Sequence, residues 1–242
     1  MNEQGAAMTG TAVHRFATVD EMNRVLAAEI ATRLSTGVAR NGRASLIASG
    51  GTTPGDLYDV LSDQDAPWTK VSVSLSDERW TEPTSPLSNE HLARTRLLRR
   101  KASAAQLVPF KTKAAHADEA EAEVDTALAR MARPFDVVLL GMGTDLHTAS
   151  LIPGSTGLER ALDRGSPALV RAIHPPELAN MGERMTLTLR AILDARWIVL
   201  LIRGEAKLRA YEQAVTGHDV LSGPVRAVLQ QHDTPVAIYW SA

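Results

Sequence analysis

The stretch DVVLLGMGTDLHTASLIPG, Asp136 to Gly154, decides how this chain is read. Its first half is an unbroken apolar run with no polar alternation, as expected of a strand buried on both faces. The run enters a turn with glycines at 141 and 143 and then presents Asp145 and His147. Parallel α/β sheets build ligand sites in this way, with polar groups delivered at the C-terminal ends of buried strands. Histidine ordinarily titrates near neutral pH, so His147 can carry a proton in a reaction.

The flanking sequence has the same organisation. ASLIAS (44–49) reads as a second buried strand, followed by Gly50, Gly51, Thr52 and Thr53 and a helix from Pro54 to Leu61. Proline suits a first helical turn, where its missing N–H costs nothing. Thr18 and Glu21 have capping-box spacing, and Met22, Val25, Leu26, Ile30 and Leu34 recur at helical intervals, predicting a helix over about 19–36. VSVSLS (71–76) reads as a strand ending at Asp77-Glu78-Arg79, followed by a loop at 81–89 and a helix over Ser88–Leu98. Further strands are expected at LVPF (107–110), ALVRAI (168–173), MTLTL (185–189), WIVLLI (197–202) and VAIYW (236–240). Helices are expected at about 117–132, Glu205–Val215 and Pro224–Gln231. Strands alternating with helices imply parallel βαβ units. The predicted fold is α/β and Rossmann-like, a mostly parallel twisted sheet flanked by helices. One domain is expected over 11–242, with residues 1–10 a flexible N-terminal tail in which Met8 offers an alternative start.

Composition narrows the chemistry. The 242 residues carry a formal net charge of −2, which gives no global attraction to nucleic acid or anionic membrane. The basic run Arg94, Arg96, Arg99, Arg100 and Lys101 reads as a solvated helix end with favourable C-terminal charge. Cysteine is absent, which excludes disulfides, thiolate catalysis and cysteine-based zinc sites. No apolar run reaches membrane-spanning length, and no signal-peptide pattern opens the chain. A cytoplasmic protein is expected.

Four segments carry candidate chemistry. Ser49, Gly50, Gly51, Thr52 and Thr53 lie between a strand and a helix N-terminus, where backbone N–H groups and the helix dipole favour an anion; a plain turn with a threonine helix cap is the alternative. Asp77 and Arg79 end the next strand: Asp77 is a candidate base or anchor, and Arg79 a partner for phosphate or an oxyanion, unless the two form a local ion pair. Asp145 could orient His147 or a substrate hydroxyl, and His147 could take a proton from water. Arg184, Arg203 and Lys207 lie beside predicted strands and could complete a phosphate pocket or serve as surface charges. No second histidine or carboxylate stands at zinc-like spacing, and no Gly-x-Ser-x-Gly elbow is present. Together these point to a small phosphorylated substrate and acid–base chemistry.

The set SGGTTP (49–54), SDERW (76–80) with Ser88-Asn89, GMGTDLHTASLIPG (141–154), RMTLT (184–188) and IRGEAK (202–207) resembles the 6-phosphogluconolactonases. These enzymes share a sugar-phosphate isomerase-like fold with glucosamine-6-phosphate deaminases. The resemblance implies hydrolysis of 6-phospho-D-glucono-1,5-lactone in the oxidative pentose phosphate pathway, with no metal or organic cofactor. It implies that the SGGTTP turn, Arg184 and Lys207 bind the phosphate, with Arg79 near the phosphate or the lactone. It makes His147 the general base, with Asp77 and Asp145 positioning substrate or base. The small phosphosugar lactone is then the expected partner, with neither nucleic acid nor membrane.

One residue departs from the family's pattern. The family shows Asp-Gly-His where this chain has Asp145-Leu146-His147, and leucine lacks glycine's freedom at positive φ. Two alternatives remain in view: a glucosamine-6-phosphate deaminase or isomerase using an Asp base, and a non-catalytic sugar-phosphate-binding protein. The deaminases typically carry an aromatic residue after Asp-Glu, where this chain has Arg79.

Overall fold

The computed structural model describes residues 12–177 and 182–242. The expected tail at 1–10, with Met8, lies outside them. The chain runs β1 (Ala12–Phe16), α1 (Val19–Asn41), β2 (Ala44–Ala48), α2 (Pro54–Leu61), β3 (Val71–Leu75), β4 (Asp77–Arg79), α3 (Asn89–Leu92) and β5 (Gln106–Leu107). It continues with α4 (Ala117–Ala129), β6 (Val137–Leu140), α5 (Leu158–Leu162), β7 (Val170–Ile173), β8 (Arg184–Leu187) and α6 (Leu189–Leu193). The last elements are β9 (Ile198–Arg203), α7 (Glu205–Thr216), α8 (Val225–Leu229) and β10 (Val236–Ser241).

Seven strands form one sheet in the order β1-β10-β9-β6-β2-β3-β5, and every neighbouring pair is parallel. Its central strands β2 and β6 are buried at every position, which accounts for their mainly apolar sequences, with Ser45 the one polar residue. From β2 the chain moves outward through β3 to β5, and then returns to place β6 on the other side of β2. The connections diverge between β2 and β6, and such a switch point opens a crevice beyond the strands' C-terminal ends.

Helix α1 begins where the sequence predicts. Thr18 Oγ1 accepts a hydrogen bond from the Glu21 N–H at 3.2 Å. The helix ends at Gly42, whose φ of +73° and N–H bond to Val38 O make a left-handed C-terminal cap. The expected helix over 88–98 is capped by Ser88, but after Leu92 it widens into a π-turn over Ala93–Leu97. Its basic end is less freely solvated than expected, because Arg94 pairs with Glu90, Arg96 with Asp56 and Asp59, and Lys101 with Asp65.

Not every predicted strand joins the parallel sheet. β4, β8 and β7 form a separate antiparallel sheet in the order β4-β8-β7. The two sheets meet at Ser76, whose N–H donates to Ala48 O of β2 while its carbonyl accepts from the Leu187 N–H of β8. One residue thus turns the chain out of the main sheet and aims Asp77 and Arg79 across its C-terminal edge. LVPF contributes only Leu107 to β5, and β1 forms in a segment that the periodicity leaves unassigned. Among the described residues no helix is long and apolar enough to cross a membrane.

Helix α1 packs close to the start of β6 through Gly37. A Cβ there would lie 2.4 Å from Asp136 Oδ1, on a buried carboxylate that accepts from the Ser45 N–H at 2.9 Å. In an exposed helix Gly→Ala gains up to about 1 kcal/mol. Here Gly37→Ala is expected to destabilise by about 1–3 kcal/mol through overpacking. Denaturant unfolding measures the change, and a stabilised variant would contradict this packing.

Candidate functional site

The C-terminal ends of β2, β6 and β9 open onto a cavity of about 210 Å³. Its wall includes all five residues of the Ser49–Thr53 turn together with Asp77, Arg79, His147, Arg184 and Lys207. Ten of the expected site residues are therefore neighbours. Asn89, Ala149 and Arg203 also line it. Asp145 does not line the cavity; it touches the ring of His147.

The turn after β2 delivers Gly50 to Thr53 into the start of α2, with Pro54 in the first helical turn. Thr53 makes no side-chain cap bond, so the threonine-cap alternative does not describe this helix. Its hydroxyl remains available to a ligand, alongside the positive end of the helix dipole.

The turn after β6 is closed on itself. The Gly143 N–H donates to His147 O at 2.9 Å, the Leu146 N–H to Gly143 O at 3.1 Å, and Thr148 Oγ1 to Gly141 O at 2.8 Å. Within this turn Asp145 Oδ1 lies 2.6 Å from His147 Nδ1. The bond to His147 holds the Asp145 carboxyl below the usual carboxylate range, against the opposing effect of burial. Ionised at neutral pH, Asp145 only accepts hydrogen bonds, so it places the imidazole proton on Nδ1 and leaves the Nε2 lone pair free. Gly143 makes room for this pair: a Cβ there would lie 2.0 Å from Asp145 Oδ1 and 2.2 Å from His147 Nδ1.

Leu146 takes the conformation that the sequence places in question, with φ at +66°. A left-handed non-glycine residue costs about 1–2 kcal/mol. Leu146 is 7% exposed and belongs to the hydrophobic core, and burying a leucine contributes roughly 1.5–3 kcal/mol. Its carbonyl also accepts from the Val225 N–H at the start of α8, at 3.1 Å. The turn keeps a glycine-like backbone, and the leucine side chain offsets the strain. Ala149, two residues beyond His147, is a second left-handed residue with φ at +49°.

Across the cavity, β4 and β8 place Arg79 directly opposite Arg184. Arg79 donates to Leu87 O at 2.8 Å and Asn89 Oδ1 at 3.3 Å. The carboxylate of Asp77 is fully engaged. Oδ1 accepts from Ser76 Oγ at 2.9 Å and Asn89 Nδ2 at 3.3 Å, and Oδ2 from Ser150 Oγ at 2.6 Å. Burial lowers the pKa of Arg184, an effect that Asp77 partly offsets. Burial likewise lowers that of Lys207, whose Nζ donates to Met142 O at 2.5 Å.

Sequence reasoning passes over Glu78, although its carboxylate shapes the site from beneath. It accepts from the N–H groups of Arg79, Asn89 and Glu90 and from Ser88 Oγ, all within 2.9 Å. It thereby closes the 79–88 loop and sets both Arg79 and Asn89. Burial pushes its carboxyl up, and the four donors counter that effect. Asn89 and Ser150 lie within segments that carry the resemblance, but nothing in their spacing announces a contact to Asp77. Among the described residues no group of three or more His, Asp or Glu side chains converges as a metal site. Four cations and one carboxylate line the cavity, an arrangement suited to a small polyanion.

The family model described as "Glucosamine-6-phosphate isomerases/6-phosphogluconolactonase" matches residues 17–240. The chain is 39% identical to a 6-phosphogluconolactonase of Rhizobium meliloti over 230 residues, covering 95% of this chain and 98% of that one. It is 43% identical to one of Mesorhizobium japonicum over 217 residues, or 89% of each. The crystal structure of a 6-phosphogluconolactonase from Shewanella baltica superimposes with a TM-score of 0.93 at 41% identity, covering 96% of this chain and 98% of that one. With its fold and its sequence matched over nearly the whole length, the chain belongs to the glucosamine-6-phosphate isomerase/6-phosphogluconolactonase family.

Proposed function

We propose that this chain hydrolyses 6-phospho-D-glucono-1,5-lactone to 6-phospho-D-gluconate, in the oxidative pentose phosphate pathway. One observation carries the choice of chemistry: an imidazole with Nδ1 committed to Asp145 stands in the wall of a strongly cationic cavity. The turn from Ser49 to Thr53, Arg184 and Lys207 take the phosphate, and Arg79 faces the same anion or the lactone. Nε2 of His147 removes a proton from water as the oxygen attacks the lactone carbonyl. The negative charge on the tetrahedral oxygen is met by the cationic wall. The imidazolium then returns the proton to the ring oxygen as its bond to the carbonyl carbon breaks. Asp145 holds the ring and its tautomer through both transfers.

Asp77 acts in this reading as a positioning residue. An isomerase or deaminase using it as base fits less well, because both its oxygens already accept hydrogen bonds from Ser76, Asn89 and Ser150. The phosphosugar is the sole partner required, without nucleic acid, membrane, metal or organic cofactor. A cytoplasmic location goes with this reading, since a charged phosphosugar does not cross a bilayer unaided.

Three substitutions test the roles against freshly prepared lactone, corrected for spontaneous hydrolysis. His147→Ala should lower kcat by about a hundred- to ten-thousand-fold with little change in KM. Equal loss in both constants would remove the general-base role. Lys207→Ala should raise KM by roughly 10- to 100-fold, the value of a charge-assisted hydrogen bond, and leave kcat within about threefold. An unchanged KM would take Lys207 out of the phosphate site. Gly143 lies outside the left-handed region, so alanine there acts by displacing the Asp145–His147 pair. Such a displacement is expected to lower kcat by about 100-fold with the thermal midpoint nearly preserved; full activity would mean that the placement of the pair does not matter.

A further inference from the structure

The side chain of Ser150 is completely buried, behind the cavity wall and between two residues of that wall. Its hydroxyl donates to Asp77 Oδ2 at 2.6 Å and accepts from Arg184 Nη1 at 3.3 Å. The direct distance from Arg184 Nη1 to Asp77 Oδ2 is 3.7 Å, too long for a hydrogen bond. The cation and the carboxylate therefore communicate through the serine. The Nε of Arg184 is buried without a hydrogen-bond partner. A guanidinium has five N–H donors in a fixed fork; Arg184 lines the cavity and makes a single side-chain hydrogen bond among the described residues, which leaves donors for an anion.

The backbone presents Ser150 at a cost in conformation. Ala149 adopts the left-handed region to turn the chain, and the Ser150 N–H is then held by Thr186 Oγ1 of β8 at 3.2 Å. Strain of this kind in a non-glycine residue persists where the surroundings over-determine it, commonly at functional sites. The same turn that places His147 thus places the hydroxyl that separates Asp77 from Arg184.

We propose that Ser150 is a positioning residue for substrate binding: its hydroxyl, shared between Asp77 and Arg184, keeps the ion pair from closing into a direct hydrogen bond and so keeps the guanidinium open to the substrate phosphate. This rests on the assignment of Arg184 to the phosphate. Without the hydroxyl, Asp77 loses its shortest hydrogen bond, and Arg184 loses its one side-chain acceptor among the described residues. From their ion-pair distance of 3.7 Å the two side chains then close into a direct hydrogen bond. That direct contact ties the guanidinium to the carboxylate and turns its N–H groups away from the cavity.

The test is a double-mutant cycle read in KM, kcat and the calorimetric affinity for 6-phosphogluconate. Ser150→Ala should raise KM and weaken 6-phosphogluconate binding at least tenfold, with kcat within threefold. In an Asp77→Asn background the same change should move both constants less than twofold, because no carboxylate charge remains to capture Arg184. A penalty equal in the two backgrounds, no penalty in either, or a loss confined to kcat would overturn the proposal. If Ser150→Ala does not fold, Ser150→Cys, whose thiol is a weak donor, enters the cycle with the same criteria. Wild-type turnover tests the lactonase reading separately from the cycle, which can be read in binding alone. Unchanged 6-phosphogluconate affinity in Arg184→Ala would remove the premise and the proposal with it.

Discussion

A single buried carboxylate joins the parts of this molecule that must act together. Asp77 accepts hydrogen bonds from Ser76 at the junction of the two sheets, from Asn89 at the start of α3 and from Ser150 in the turn after β6. It also lies within ion-pair distance of Arg184 on β8. A carboxylate removed from water is tolerated when its lone pairs are satisfied and a cation stands near, and Asp77 meets both conditions with donors from separate segments. The cost of leaving it unsatisfied ties these segments to one arrangement. The cavity is the space they leave at the C-terminal ends of β2, β6 and β9.

The second constraint is local. The turn that carries His147 contains two left-handed non-glycine residues, Leu146 and Ala149. Neither conformation is favoured by the residue that adopts it. Leu146 is compensated by its buried side chain and by the bond from Val225, and Ala149 by the contacts that capture Ser150. The turn is therefore preorganised by its surroundings rather than by its own backbone preference. That suits the general-base role proposed for His147, whose contribution would depend on close placement.

Much of the fold was legible because burial leaves a direct trace in sequence. The largely apolar runs of β2, β6, β9 and β10 identified strands of the main sheet, and Pro54 marked the start of α2 correctly. The antiparallel sheet was not legible. β7 and β8 have the burial and length of the parallel strands, and periodicity records that a face is buried without recording the direction of the partner. The three residues of β4 likewise look like the frayed end of β3 until β8 is present to pair with them.

The same division applies to the site. By itself the sequence determined which groups were available: one histidine and one acid after a buried strand, an anion-friendly turn before a helix, and cations near other strand ends. Those features are local, since strand, turn and helix signals depend on residues close in the chain. Tertiary structure alone decided that Arg79 and Arg184 face one another, that Asp145 contacts the imidazole instead of the cavity, and that Ser150 separates Asp77 from Arg184. Apart from the Asp145–His147 contact, these relations join side chains far apart in sequence. The hydrogen bonds that select them exist only once both sheets have packed, so no spacing in the chain encodes them.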